Sequence, residues 1–178
     1  THVSGTVAGD DAGGTHIGVA PNATLYVGAV LVEEPDNVGY FNQILSGMQW
    51  AVDNNADILS MSLGADIDDV SKGAHYIEPF ENVRDSGTLP VVAVGNNGAG
   101  NSSRPGNLYS TISVGASDDL ANFQNEIASF SSGTTVDTSE WTPNEYDASV
   151  PGYWPQSTYT VPDLVAPGDR INSSFPPS

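Results

Sequence analysis

The 178-residue sequence contains no cysteine, which excludes disulfides and thiolate metal sites. Basic residues are almost as scarce. Lys72, Arg84, Arg104 and Arg170 stand against 22 Asp and Glu, for a formal net charge of -18. Phosphate backbones and anionic headgroups are recognised by clustered Lys and Arg, so this balance argues against nucleic acid and anionic membranes as partners. No apolar run approaches the ~20 residues that a bilayer-spanning helix needs. Hydrophobic residues nevertheless make up 38% of the chain. With their periodic spacing, that content separates the sequence from acidic disordered chains. Its length is that of one domain.

Charge of one sign at this density opposes a compact state in dilute buffer. At ~1 M salt the screening length falls to about 3 Å and the repulsion is largely removed. The acidic, lysine-poor composition therefore reads as adaptation to high salt. Three sequons, at Asn22-Ala23-Thr24, Asn101-Ser102-Ser103 and Asn172-Ser173-Ser174, support an extracellular origin.

What is present alternates between strand and helix patterns. Residues 25–32 form a nearly continuous apolar, β-prone run, suited to a strand buried on both faces. Phe41, Ile44, Leu45, Met48 and Val52 recur at helical spacing, predicting an amphipathic helix that ends near Asn54-Asn55. Strands are predicted at 57–63, 89–94, 110–116 and 127–131, and a helix over Ile77 to Asp85. Such alternation is the pattern of a right-handed α/β sheet. Glu33-Glu34-Pro35-Asp36 reads as a solvated acidic loop. Paired carboxylates such as Asp68-Asp69 and Asp118-Asp119 read as solvated charge. His16 and His75 lack zinc spacing. Residues 134–161 break the pattern: Trp141, Tyr146, Tyr153, Trp154 and Tyr159 lie among Thr, Ser, acids and prolines that disfavour a helix. These aromatics are expected to anchor the segment onto the domain.

Several segments, in order, carry a resemblance. They are Thr1-His2-Val3-Ser4-Gly5-Thr6, Gly18-Val19-Ala20-Pro21-Asn22-Ala23-Thr24-Leu25-Tyr26, Asp57-Ile58-Leu59-Ser60-Met61-Ser62-Leu63-Gly64, Val91-Val92-Ala93-Val94-Gly95-Asn96-Asn97-Gly98 and Asp163-Leu164-Val165-Ala166-Pro167-Gly168. Together they resemble the subtilisin-like serine proteases over residues 1–133 and 162–178. The resemblance implies an α/β fold of three layers, a mostly parallel sheet flanked by helices. Within it, residues 1–178 would be a partial, incomplete peptidase domain with an insertion at 134–161. His2 matches the second, non-catalytic histidine of its motif, which places the catalytic base just upstream of Thr1. The D-[TS]-G acid and the G-T-S-M-A nucleophile have no match, so the isolated chain is expected to be inactive. The strand bearing that acid lies, in the family, between those matching 25–32 and 57–63. Its absence would leave open sheet edges and favour self-association.

By the same resemblance Asn96 is the oxyanion donor, although Gly95-Asn96-Asn97-Gly98 read by itself is a turn. Ser62-Leu63-Gly64 pairs with an extended polypeptide substrate and forms one wall of the specificity pocket. Ala93-Val94-Gly95 forms the other, and Ser103 falls near the base. Small residues in both walls suggest a pocket open to large apolar groups. No cofactor is required. A Ca²⁺ or monovalent cation is implied at two places: Asp10 and Asp11 in the loop 9–16, where Ala12 replaces the usual asparagine ligand, and Gly106, Leu108 and Thr111 with Asp163. Two other readings remain, a non-catalytic binding or structural domain on this fold and an acidic cation-binding module.

The charge argument is testable directly. The melting temperature should rise steadily from 0.1 M to 2 M NaCl, whereas an uncharged osmolyte should not reproduce the low-salt part of that rise. Scanning calorimetry in the two series distinguishes screening from general osmolyte stabilisation.

Overall fold

The computed structural model describes residues 1–11, 13–32, 39–66, 70–118, 126–141 and 150–174. The loop 33–36, Asp68-Asp69, Asp119, Pro143 and Tyr146 lie outside the described residues. The chain divides into two compact units, one of Thr1–Gly47 with a segment from Arg170, the other of Met48–Asp169.

In the first unit, helix α1 spans His2–Ala8. The carbonyls at its end would be orphaned, as at any helix terminus. Here Val19 N–H donates to Thr6 O (3.1 Å), Ala20 N–H to Val7 O (2.8 Å) and Gly18 N–H to Gly9 O (2.9 Å). The run 25–32 departs from expectation. No strand forms over 24–31, and Val32 makes only an isolated bridge. Leu25, Tyr26, Leu31 and Val32 are exposed, and Val27 is 64% exposed. A run apolar on both faces becomes a strand only between two neighbours, and no described strand pairs with it.

Helix α2, Phe41–Asp53, has the predicted extent. Ile44, Met48 and Ala51 are its buried positions. It closes where Asn55 turns to φ 54°, with Asn55 N–H on Val52 O (2.9 Å) and Ala56 N–H on Ala51 O (3.1 Å). Asparagine tolerates this left-handed backbone, hence its use at helix ends.

The second unit continues with β1 (Ile58–Met61), β2 (Ala65–Asp66), a 3-10 turn (Val70–Tyr76), α3 (Ile77–Asp85), β3 (Leu89–Ala93) and β4 (Ser103–Arg104). After these come β5 (Ile112–Asp118), β6 (Glu126–Ile127), β7 (Thr134–Asp137), a second 3-10 turn (Thr138–Trp141), β8 (Thr158–Val161) and β9 (Leu164–Pro167). The parallel core runs β1–β3–β5–β9, with registers Met61↔Val92, Ala93↔Val114 and Val114↔Leu164. β6 adds an antiparallel pair at the end of β5. The sheet is thus mostly parallel, as expected. α3 packs against β3 through Ile77, Phe80 and Val83, all buried. β1 forms an edge: among the described residues only β3 pairs with it, and Ile58 is 59% exposed. The strand predicted at 127–131 shrinks to two residues, because Ser131 N–H closes a turn onto Ala128 O (2.8 Å). β9 was not read as a strand from its four residues.

The described parts of 134–161, residues 134–141 and 150–161, contain regular structure. The ends of the segment pair as β7 and β8, with Thr134↔Val161 and Val136↔Tyr159 in register. Val136, Tyr159 and Val161 are buried, as are Trp141 and Trp154. Trp154 meets Trp141 edge to face (5.8 Å, 87°) and Tyr159 likewise (6.0 Å, 80°). Such pairs add stabilisation beyond the buried area. The expected anchoring is therefore present for these three aromatics. Tyr153 differs: it is exposed, and its hydroxyl donates to Glu81 (2.8 Å) and accepts from Arg84 on α3.

Trp141 Nε1–H donates to the Tyr159 hydroxyl (3.0 Å), which donates to Asn107 O (2.7 Å). Burial raises the Tyr159 phenol above its ordinary 10.0, outweighing the lowering by the Trp141 and Tyr109 donors. A raised phenol contributes stability that is complete below the unfolded pKa and lost as pH climbs through the folded value. Urea-unfolding free energies should accordingly lose this contribution only above about pH 10, and Tyr159→Phe should show a smaller alkaline decline.

Candidate active site

The loop carrying Asn96 begins where β3 ends. Gly95 has φ +115°, in the region that favours glycine. A side chain there would also overlap the Ser103 hydroxyl. Beyond this turn Asn96 is exposed, and its amide makes no hydrogen bond among the described residues. The surrounding loop is tied down. Asn97 N–H donates to Ser132 Oγ (2.9 Å), Ser132 N–H to Gly95 O (3.0 Å) and Gly98 N–H to Phe130 O (2.8 Å). Gly100 N–H donates to Gly133 O (2.7 Å), and Asn101 Nδ2–H to Asn97 O (2.8 Å). The segment is a turn, as its residues suggest, and one that presents an amide on a fixed backbone. Preorganised donors stabilise developing negative charge because they need little reorientation during reaction.

The two predicted walls converge on β4. Ser62, Leu63 and Gly64 leave β1 with Ser62 and Gly64 exposed, then enter β2, which pairs with β4 as Ala65↔Arg104 and Asp66↔Ser103. On the other side Ala93, Val94 and Gly95 leave β3, and Ser103 N–H donates to Val94 O (2.8 Å). Ser103, only 4% exposed, therefore touches both walls. A methyl group on Gly64 would lie 3.3 Å from Ser103 Cβ and 3.0 Å from Arg104 O. Gly106 completes the base, pressed so closely on the Ala93 carbonyl that no Cβ would fit. Arg104 Cβ lies 3.4 Å from where a Gly73 side chain would begin. The charge of Arg104 lowers the Tyr76 phenol against the larger raising effect of burial.

Three of the groups implied for a cation, Gly106 O, Leu108 O and the Asp163 carboxylate, accept hydrogen bonds. Gly106 O accepts Ser113 Oγ–H (2.6 Å). Leu108 O accepts both Thr111 N–H (3.2 Å) and Thr111 Oγ1–H (3.0 Å). Asp163 is close by, but its Oδ2 accepts Ser113 N–H (2.7 Å). A carbonyl has two lone pairs, and two donors already occupy Leu108 O. Leu108 O therefore has both lone pairs engaged, and Gly106 O one of its two. Asp10 and Asp11 are exposed, and Asp10 Oδ1 accepts Asp11 N–H (2.7 Å). Among the described residues no group of three or more His, Asp or Glu side chains could hold a metal ion.

The histidines also have structural surroundings. A His2 ring nitrogen bonds Ile171 O (3.1 Å), and His2 O accepts Ser173 Oγ–H (2.7 Å). His75 lies against Tyr76 with ring centroids 4.5 Å apart. Sequence reasoning missed Ser132 and Asn101 on the Asn96 loop and Ser113 on Gly106; it named Tyr159 as an anchor but not its bond to Asn107. Only the Ser131-Ser132-Gly133 cluster gave a local signal, of a turn.

Comparison with known proteins identifies the family. The profile of peptidase S8, the subtilase family, matches residues 1–175. Subtilisin amylosacchariticus of Bacillus subtilis subsp. amylosacchariticus is 35% identical over 163 residues, 89% of this chain and 38% of that protein. Alkaline protease of Alkalihalobacillus alcalophilus is 33% identical over 178 residues, all of this chain and 38% of that protein. Among solved structures, sphericase superposes with a TM-score of 0.69 at 27% identity, over 98% of this chain and 54% of that one. The chain thus spans 38% of the length of these two curated relatives. With the family profile matched from residue 1 to residue 175 and the subtilisin-like α/β fold in place, the chain belongs to the subtilase family.

Proposed function

We propose that this chain is part of a secreted, salt-adapted serine endopeptidase, to which it contributes the specificity pocket and the oxyanion donor. The observation that carries the reading is the exposed Asn96 amide, held on a tied-down loop beside a pocket base that both walls share. In this reading residues 1–178 are a partial peptidase domain and 134–161 an insertion in it. The charge of -18 supports salt adaptation. No helix among the described residues is long and apolar enough to cross a membrane.

The chemistry follows from what the residues can do. A polypeptide lies extended along Ser62-Leu63-Gly64 and hydrogen-bonds as an added strand, which tolerates many sequences. The side chain preceding the scissile bond enters between Ser62–Gly64 and Ala93–Gly95 and meets Ser103. A serine hydroxyl, deprotonated by a histidine that an aspartate orients, adds to the carbonyl. The carbonyl oxygen gains negative charge as carbon becomes tetrahedral, and Asn96 Nδ2–H donates to it. The described residues of this chain assemble no Ser–His–Asp constellation of their own. The chain by itself therefore does not hydrolyse peptides, and the open β1 edge leads it to self-associate.

Casein hydrolysis in high salt, comparing this chain with a polypeptide extended on both flanks, tests the reading. Activity in the extended protein alone, abolished by a serine-directed inhibitor, is the expected result. Inactivity of both, with folding verified, would instead indicate a non-catalytic binding domain. In the active protein Asn96→Ala should lower kcat by about 10²–10³-fold with little change in KM, the size known from removing a subtilisin's oxyanion asparagine. Steady-state kinetics on a peptide substrate provide the check.

A further inference from the structure

We infer that Tyr159, together with Trp141, sets the geometry of the specificity pocket, with Tyr159 as the positioning residue. The inference rests on the peptidase reading of the pocket and adds a determinant remote from both walls. Two connections carry it. The Tyr159 hydroxyl donates to Asn107 O at 2.7 Å, directly beyond Gly106, which rides on the Ala93 backbone. Trp141 reaches the same base from another side. A side chain on Gly73 would begin 3.2 Å from the Trp141 ring and 3.4 Å from Arg104 Cβ, so Trp141, Gly73 and Arg104 are stacked in one packed row.

Trp141 Nε1–H also donates to the Tyr159 hydroxyl (3.0 Å), so one oxygen joins both connections. Its surroundings favour a fixed position. Tyr159 is held by edge contacts from Trp154 (6.0 Å) and Tyr109 (5.2 Å). Asn107 is fully buried, and its side-chain amide has no hydrogen-bond partner among the described residues. Its backbone bond to Tyr159 is therefore a principal polar tie of this stretch. The residues tied, 103–107, are those against which an incoming side chain stops. A pocket discriminates between side chains only as sharply as its walls hold position.

Tyr159→Phe removes one oxygen and keeps the ring, so folding should survive. Tyr153→Phe is the control, because Tyr153 ties the same segment to Glu81 and Arg84 on α3 and makes no bond to 103–107. In the extended, active protein, kcat/KM is measured for peptides that differ only in the residue before the scissile bond. Tyr159→Phe should reduce the ratio between best and worst substrate by about fivefold or more, through KM, with kcat for the best within about twofold. Tyr153→Phe should leave the ratio unchanged. An unchanged ratio in Tyr159→Phe, or an equal shift in both variants, overturns the inference. Amide exchange separates failure of the peptidase reading from failure of the brace. The Ser103 and Leu108 amides should exchange about tenfold faster in Tyr159→Phe and Val92 should not, whether or not the protein hydrolyses peptides. Equal protection of Ser103 and Leu108 in wild type and variant contradicts the brace.

Discussion

The arrangement of the site depends on one short contact, the seating of Ser103 between two chain segments that leave the sheet at neighbouring strands. β1 and β3 run parallel and end side by side, which by itself would let the segments after Met61 and Ala93 diverge. The Ser103 amide fixes one to the base through Val94 O, and the two-residue ladder of β2 with β4 fixes the other. Glycine at 95 is a consequence, since any side chain would collide with the Ser103 hydroxyl. So is the place of Asn96, which follows that glycine and is turned out to solvent. A buried serine, unremarkable in composition, thereby links the sheet to the exposed Asn96.

The polar groups around this base are largely consumed by one another. Ser113 and Thr111 donate to carbonyls that a cation would otherwise need, and the Asp163 carboxylate accepts a backbone amide of β5. Because Ser113 and Thr111 are buried, added salt screens these bonds little.

Legibility in the sequence followed the range of the interactions. α2 and α3 were readable because a period of 3.6 is written locally, and α3 has the predicted ends, Ile77 and Asp85. β1, β3 and β5 were readable as short apolar, β-prone runs alternating with the helical patterns. The run 25–32 misled because an apolar stretch records a tendency to be buried, not the presence of a neighbour to pair with. The β7–β8 pairing escaped notice because its strands are separated by 20 residues without a tight-turn signal between them. The Tyr159 to Asn107 bond spans 52 positions, and neither residue carries a local pattern that announces it. The wall and oxyanion residues were named from resemblance alone, and what brings them together is backbone pairing.

The most direct measurement is a crystal structure of the extended protein with a peptide aldehyde, whose hemiacetal oxygen imitates the tetrahedral intermediate. Asn96 Nδ2 should lie about 2.7–3.1 Å from that oxygen, with the adjoining side chain of the inhibitor held between Gly64 and Gly95 above Ser103. An inhibitor bound with Asn96 turned away, or no binding to the folded protein, would contradict the assignment of this loop and pocket to catalysis.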